Sequence, residues 1–333
     1  MKKLYFLQLI IISFHCFAQQ EAVIKSSSQK VLLNANVIRK YQSDTALNGS
    51  KIRLEIPNLQ ANEYIIDHTG YSLVFNEKYK QAKWVAYELT ASETEKVAER
   101  SNAFKPDSTI PKLTNQARDY TGSGYDRGHL APAADQSWSL QAMQESFYYS
   151  NMSPQLPGFN RGIWKNLEEQ VRQWARDNEV IYIVTGPVLK DNLSTLGESS
   201  IAIPKYYYKV ILDYKEPELK GIGFIMPNES SSYPLQHFAV SIDSVENLTG
   251  IDFFPLLPDV DETTLEKNVC ISCWNWGQNK NYKLLSNARE NKSEPSGQIK
   301  PQAVQCSAIT KAGTRCKRMT STADGKCYQH NGK

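Results

Sequence analysis

The chain has 333 residues, 41% of them hydrophobic and 11% aromatic, with 38 Lys and Arg against 35 Asp and Glu for a formal charge of +3. This is an ordinary globular composition that excludes an intrinsically disordered chain and leaves room for one large domain or two smaller ones. The near balance of charge excludes a generally basic body, so any contact with a polyanion has to be a local patch.

The chain opens with Met1-Lys2-Lys3 and a mostly apolar run from Leu4 to Ala18, followed by Gln19-Gln20. Residues 1–18 read as a secretory signal peptide cleaved near Ala18. The run of about 15 residues is short of the ~20 that a membrane span needs. Ser13-Phe14-His15 lacks the small residues expected before a lipidated Cys16. The expectation is a secreted or periplasmic protein with no membrane attachment after cleavage. Residues 19–53 are polar and uneven and read as a loosely ordered arm.

A globular domain is expected over residues 54–283. Glu63 to Ile66, Tyr71 to Phe75 and Lys83 to Leu89 read as short strands, with Thr69-Gly70 as a turn. His68 beside that turn reads as a packing residue. Residues 91–123 form a long connection, and long loops are often functional. Arg100 lies there, and its position alone indicates only a solvated side chain.

The stretch Gly124-Tyr125-Asp126-Arg127-Gly128-His129-Leu130-Ala131-Pro132 delivers a carboxylate, a guanidinium and an imidazole within four residues. Gly128 permits positive φ or a close approach to substrate. Arg127 can fork onto two phosphate oxygens. His129, with an ordinary pKa of about 6.5, can take a proton from water near neutral pH. That set suits phosphodiester hydrolysis.

Downstream, Asn151-Met152-Ser153-Pro154-Gln155 leads through Pro157-Gly158 into a helix expected over 159–177, with Ile163, Leu167, Val171 and Trp174 as its apolar stripe. On a regular helix Asn160 and Glu168 lie within roughly 80° of one another and about 12 Å apart along the axis. Asn160 could therefore ligate a metal directly, with Glu168 holding it through water. An oxygen-only site of this kind points to Mg²⁺.

Val180 to Leu189, Tyr206 to Tyr214 and Gly221 to Met226 read as further strands, and Val240 to Thr249 as a segment containing a helix that Gly250 caps. The fold class expected is α+β, around a mainly antiparallel sheet. Cys270-Ile271-Ser272-Cys273 reads as a local disulfide after export.

Residues 284–304 read as a linker. The tail, 305–333, carries Cys306, Cys316, Cys327 and His330, a ligand count that matches a structural Zn²⁺ site. A disulfide is the alternative, although three cysteines would leave one unpaired. Without the leader the chain carries +1, of which residues 301–333 hold +5 and residues 19–300 hold −4. The tail could attract phosphate, or simply be a solubilising surface.

Asp126-Arg127-Gly128-His129, Asn151 to Gln155, and Asn160 with Trp164, Leu167 and Glu168 together resemble the DNA/RNA non-specific endonuclease family, whose active site is a ββα-metal motif. The resemblance runs over roughly residues 55–260. It includes Trp84 to Leu89, Arg100 to Asp107, Val184 to Pro187 and Thr249 to Pro255. It implies a Mg²⁺-dependent enzyme, with Mn²⁺ as a substitute, that hydrolyses DNA and RNA with little sequence preference. His129 would be the general base, Asn160 the sole direct protein ligand of Mg²⁺, and Glu168 the residue that orients metal-bound water. Arg127 and Arg100 would contact the phosphate, and Asn151 would help fix the His129 ring. Asp126 could simply brace the loop. A homodimer and a protein inhibitor stay open as partners. Two competing readings remain: a catalytically inactive nucleic-acid-binding protein working through the Cys/His tail, and a phosphoesterase for small substrates.

Overall fold

The structure, a computed structural model, describes residues 52–110, 117–190 and 192–277, together with 304–305, 307–308, 316 and 319–320. The leader, residues 19–51 of the arm, residues 284–303 of the linker, and Cys306, Cys327 and His330 lie outside the described residues. Two compact units divide the chain, Met1–Gly277 and Gln278–Lys333.

The first unit begins with β1 (Ile66–Asp67), β2 (Ser72–Asn76) and β3 (Gln81–Thr90), followed by α1 (Ala117–Tyr120), β4 (Asp126–His129), α2 (Leu140–Glu145) and β5 (Met152–Gln155). Next come α3 (Lys165–Asn178), β6 (Val180–Pro187), the short pair β7 (Thr195–Leu196) and β8 (Ile201–Ala202), and the long strands β9 (Tyr206–Asp213) and β10 (Lys220–Pro227). β11 (Ala239–Val240), α4 (Ile242–Thr249) and α5 (Asp259–Lys267) complete it. The main sheet runs β1-β2-β3-β6-β9-β10-β11, with every neighbouring pair antiparallel. β4 and β5 form a separate antiparallel hairpin, which with α3 makes the ββα unit of this α+β fold.

The central strands are buried on both faces, so their sequences read as apolar runs rather than strict alternation. One face sends Trp84, Val184, Tyr208 and Val210 against Ile242 and Val245 of α4 and Leu265 of α5. Each such aliphatic side chain contributes about 1.5–3 kcal/mol by leaving water. The other face receives the ββα unit. Phe224 of β10 stacks on Trp174 of α3 at 6.2 Å, and Tyr207 of β9 stacks on Phe159 at 5.3 Å. The Tyr207 hydroxyl also donates to the Pro154 carbonyl oxygen of β5 at 2.8 Å. Strand β9 thus holds the hairpin and the segment leading into α3, while β10 packs on α3 itself.

Leu167, Val171 and Trp174 are buried along α3, as the spacing predicts. Trp174 also meets Trp274 and Trp276 at 4.6 and 5.0 Å, in a segment that the Cys270–Cys273 disulfide closes. The start of the expected helix differs. Residues Phe159–Trp164 form a π-helical turn broken at Gly162, whose φ and ψ of −106° and −112° are non-helical. The regular 100° count between Asn160 and Glu168 therefore does not apply across this break.

The pattern also failed to announce α5, whose stretch Asp259–Lys267 is mostly polar and buries Asp261, Leu265 and Glu266. Acidic residues in its first turn complement the helix dipole. No helix among the described residues is long and apolar enough to cross a membrane. In the second unit, β12 (Val304–Gln305) pairs antiparallel with β13 (Met319–Thr320). Cys316, the one predicted zinc ligand among the described residues, is buried against Ala308.

Candidate active site

β4 places Asp126, Arg127 and His129 on three of its four rungs, opposite Gln155, Pro154 and Met152 of β5. Gly128 is not among the glycines with positive φ. Its need is close approach, since a methyl group there would overlap the buried side chain of Gln155 across the hairpin. The sequence reading of Gly128 as a point of approach to substrate is therefore replaced by a packing role.

The hairpin is locked from its far end by Asn151. Its side-chain carbonyl accepts from the Ala131 amide at 2.8 Å, and its amide group donates to the carbonyls of Ala131 and Ser146 at 2.9 and 2.8 Å. The Leu130 amide also donates to the Asn151 carbonyl at 3.0 Å. These bonds hold the backbone that follows His129, rather than the imidazole itself.

His129 is 8% exposed, and its Nε2 is buried with no hydrogen-bond partner among the described residues. Phe147 meets the ring edge-on at 4.8 Å, and Phe104 lies at 5.9 Å. Two guanidiniums lie on the same aromatic wall. Arg127 sits over Phe104 at 4.0 Å and Arg100 over Phe147 at 5.0 Å. Such contacts fix flexible cations without consuming their hydrogen-bond donors. Burial, with the charges of Arg100 and Arg127, pushes the His129 imidazole down to about 3. The ring is therefore neutral across the physiological range, and it is a weak proton acceptor until the charges of Arg100 and Arg127 are offset.

This has a consequence for stability. The unfolded chain binds a proton at His129 near the ordinary value of about 6.5, whereas the folded chain does not until far lower pH. The unfolded state thus holds more protons in that window, and native stability falls as pH drops from about 6.5 toward 3, by up to about 1.4 kcal/mol per pH unit. Denaturant melts should show a shallower dependence in His129→Asn than in the wild type between about pH 4 and 6. Parallel slopes would count against the buried neutral ring.

Asp126 links the hairpin to the helical segment. Its Oδ2 accepts from Asn160 Nδ2 at 2.9 Å and from Arg161 Nε at 2.8 Å, and its Oδ1 accepts from an Arg161 terminal nitrogen at 2.6 Å. Burial alone would raise the Asp126 carboxyl. The bonds from Arg161 and Asn160 and the charges of Arg161 and Arg127 outweigh it and hold the group below the usual carboxylate range. Because Asn160 commits its amide nitrogen to Asp126, its side-chain oxygen is the atom left to coordinate a cation. Arg161 is thereby paired with Asp126.

Glu168 lies one turn into α3 and is partly buried. Burial pushes its carboxyl up, against the opposing charges of Lys209, Arg172 and Arg100. Lys209 of β9 is fully buried, 5.0 Å over the Trp164 ring, and its Nζ has no hydrogen-bond partner among the described residues. Arg172 donates to Asp135 at 2.7 Å, and the Tyr87 hydroxyl donates to the same carboxylate at 2.7 Å. Sequence reading missed this charged layer beneath Glu168, and Phe104 and Phe147 as cation platforms. Two signals were available: Arg172 stands four residues after Glu168 on one helix face, and Lys209 interrupts the apolar run of β9.

The predicted residues thus converge. Arg100 and Arg127 both act on His129, Arg100 also acts on Glu168, and Asn160 is tied to β4 through Asp126. The side chains of Asn160 and Glu168 both carry oxygens that suit a hard divalent cation.

The chain is similar to known nucleases. The family model described as DNA/RNA non-specific endonuclease matches residues 48–260. The mitochondrial nuclease EXOG of Danio rerio is 34% identical over 239 residues, covering 65% of this chain and 69% of that protein. Mitochondrial endonuclease G of Bos taurus is 34% identical, over 56% of this chain and 67% of its own length. A nuclease of Nostoc is 33% identical, over 63% and 80% respectively. Among solved structures, a chain of the EndoG/EndoGI complex superposes with a TM-score of 0.57 at 33% identity, covering 62% of this chain and 90% of that one.

Proposed function

The chain belongs to the DNA/RNA non-specific endonuclease family and is a nuclease, and from that premise we propose that it is an exported, Mg²⁺-dependent enzyme hydrolysing phosphodiester bonds of both DNA and RNA. The observation that carries the reading is the neutral, buried His129 between two aromatic-mounted guanidiniums.

In this reading Arg127 and Arg100 bind the oxygens of the scissile phosphate. The phosphodiester's negative charge then offsets the two cations that depress His129, so the imidazole becomes more basic once substrate is bound. His129 removes a proton from water as the water oxygen attacks phosphorus and the opposite P–O ester bond breaks. Asn160 would hold the cation through its free carbonyl oxygen, and Glu168 would hold it through water. When bound, the cation supplies Lewis-acid stabilisation of charge on the phosphate and the leaving oxygen. Recognition through phosphate carries little sequence information, which fits a non-specific nuclease.

The basic, apolar leader supports export. The Cys306, Cys316, Cys327 and His330 set supports a small zinc-binding module, a finer reading that metal analysis of the full chain would test. Likeness to an EndoG chain in complex with EndoGI favours the existence of a protein inhibitor for this chain as well.

The mature protein is expected to degrade supercoiled plasmid and a structured RNA in Mg²⁺, and to lose both activities in chelator with recovery on adding Mg²⁺ back. Activity that survives exhaustive chelation would overturn the metal assignment, and cleavage of one polymer only would overturn the sugar-non-specific reading.

A further inference from the structure

On the sheet face opposite α3, a second group of oxygen ligands stands apart from the nuclease centre. Asp243 and Glu246 of α4 and Glu266 of α5 bring carboxylate oxygens within 4.8 Å of one another. Glu266 is only 5% exposed, and its Oε1 is buried with no hydrogen-bond partner among the described residues. An unsatisfied buried carboxylate oxygen is costly unless a proton or a cation meets it. The charges that Glu266 feels most strongly are all negative, those of Glu246, Glu262, Asp252 and Asp243.

The packing keeps Glu266 where it is. Its neighbour Leu265 lies in the core, and the Leu265 carbonyl would sit 3.2 Å from a Cβ at Gly221, with Ile242 Cδ1 at 2.7 Å. The glycine lets both helices close on β10. Glu246 is fixed as well, because its Oε1 accepts from the Phe253 amide at 2.8 Å.

We propose that Asp243, Glu246 and Glu266 form a calcium site that clamps α4 to α5. Oxygens up to 4.8 Å apart match twice a Ca²⁺–O distance of about 2.4 Å, and exceed the roughly 4.2 Å across a Mg²⁺ octahedron. Without a cation, burial and the neighbouring acids push Glu266 up to about 9, and burial chiefly pushes Glu246 up to about 7. The site is then part protonated. Calcium would replace those protons and remove the mutual repulsion.

The test uses the full chain carrying Asn160→Ala, so that the nuclease centre does not contribute a metal response. After chelation, about 5 mM Ca²⁺ is expected to raise its melting temperature by at least about 4 °C, and Mg²⁺ at the same concentration to raise it less. Adding Glu266→Gln should abolish the calcium shift while leaving the metal-free protein about as stable as before, because a neutral amide replaces a carboxyl that holds its proton when no cation is bound. Should that variant fail to fold, Asp243→Asn, at a half-buried position, serves in the same comparison. No calcium shift, a shift that persists in the substituted protein, or an equal shift with Mg²⁺ would overturn the calcium site.

Discussion

His129→Ala is expected to lower plasmid and RNA cleavage by about 10²- to 10⁴-fold, the usual contribution of a positioned general base, with the fold intact. The reason lies in what surrounds the ring. Its Nε2 is buried without a partner among the described residues, so truncation removes a desolvated polar atom along with some packing against Phe147. The two effects on stability partly cancel, while the loss of the proton acceptor has no local substitute. Arg127 and Arg100 stay on their phenylalanine platforms, and binding of nucleic acid should change little. Single-turnover cleavage, read beside near-ultraviolet circular dichroism, separates these effects. A well-folded variant with wild-type turnover would remove His129 from the base role.

Asn160→Ala is expected to cost more than about 100-fold in cleavage, beyond the 10- to 100-fold range for residues that merely orient a metal ligand. Asp126→Ala should fall inside that range. In the structure Asp126 receives the Asn160 amide nitrogen, which leaves the carbonyl oxygen as the donor. Losing Asp126 frees that side chain to rotate but keeps the donor present. The two variants should therefore differ in Mg²⁺ titrations: Asp126→Ala recovers part of its rate at high Mg²⁺, and Asn160→Ala does not. Equal recovery in both would mean that Asn160 is not the direct ligand.

The residues that make the chemistry legible were contiguous. Asp126, Arg127 and His129 occupy one four-residue strand, and a short-range motif survives in sequence because no tertiary information is needed to see it. The long apolar strands Val180–Pro187 and Tyr206–Asp213 were equally plain, since burial on both faces selects apolar residues throughout. Helix α3 was legible from its stripe, but the break at Gly162 was not. Periodicity reports which residues face the core, not the backbone angles at a single glycine.

By itself the sequence determined the fold class and the reaction class and named candidates for the phosphate and proton contacts, because local motifs, the fixed chemistry of side chains and a family resemblance need no tertiary information. The tertiary structure alone decided how those groups behave. Arg100 becomes part of the centre only because Phe147, far along the chain, mounts it beside His129. Lys209 reaches Glu168 only because β9 lies beneath α3. Glu266 meets Asp243 and Glu246 only where two helices converge on one sheet face. Charge, protonation and metal affinity depend on what is buried against what, and burial is a long-range property that packing, not neighbouring sequence, sets.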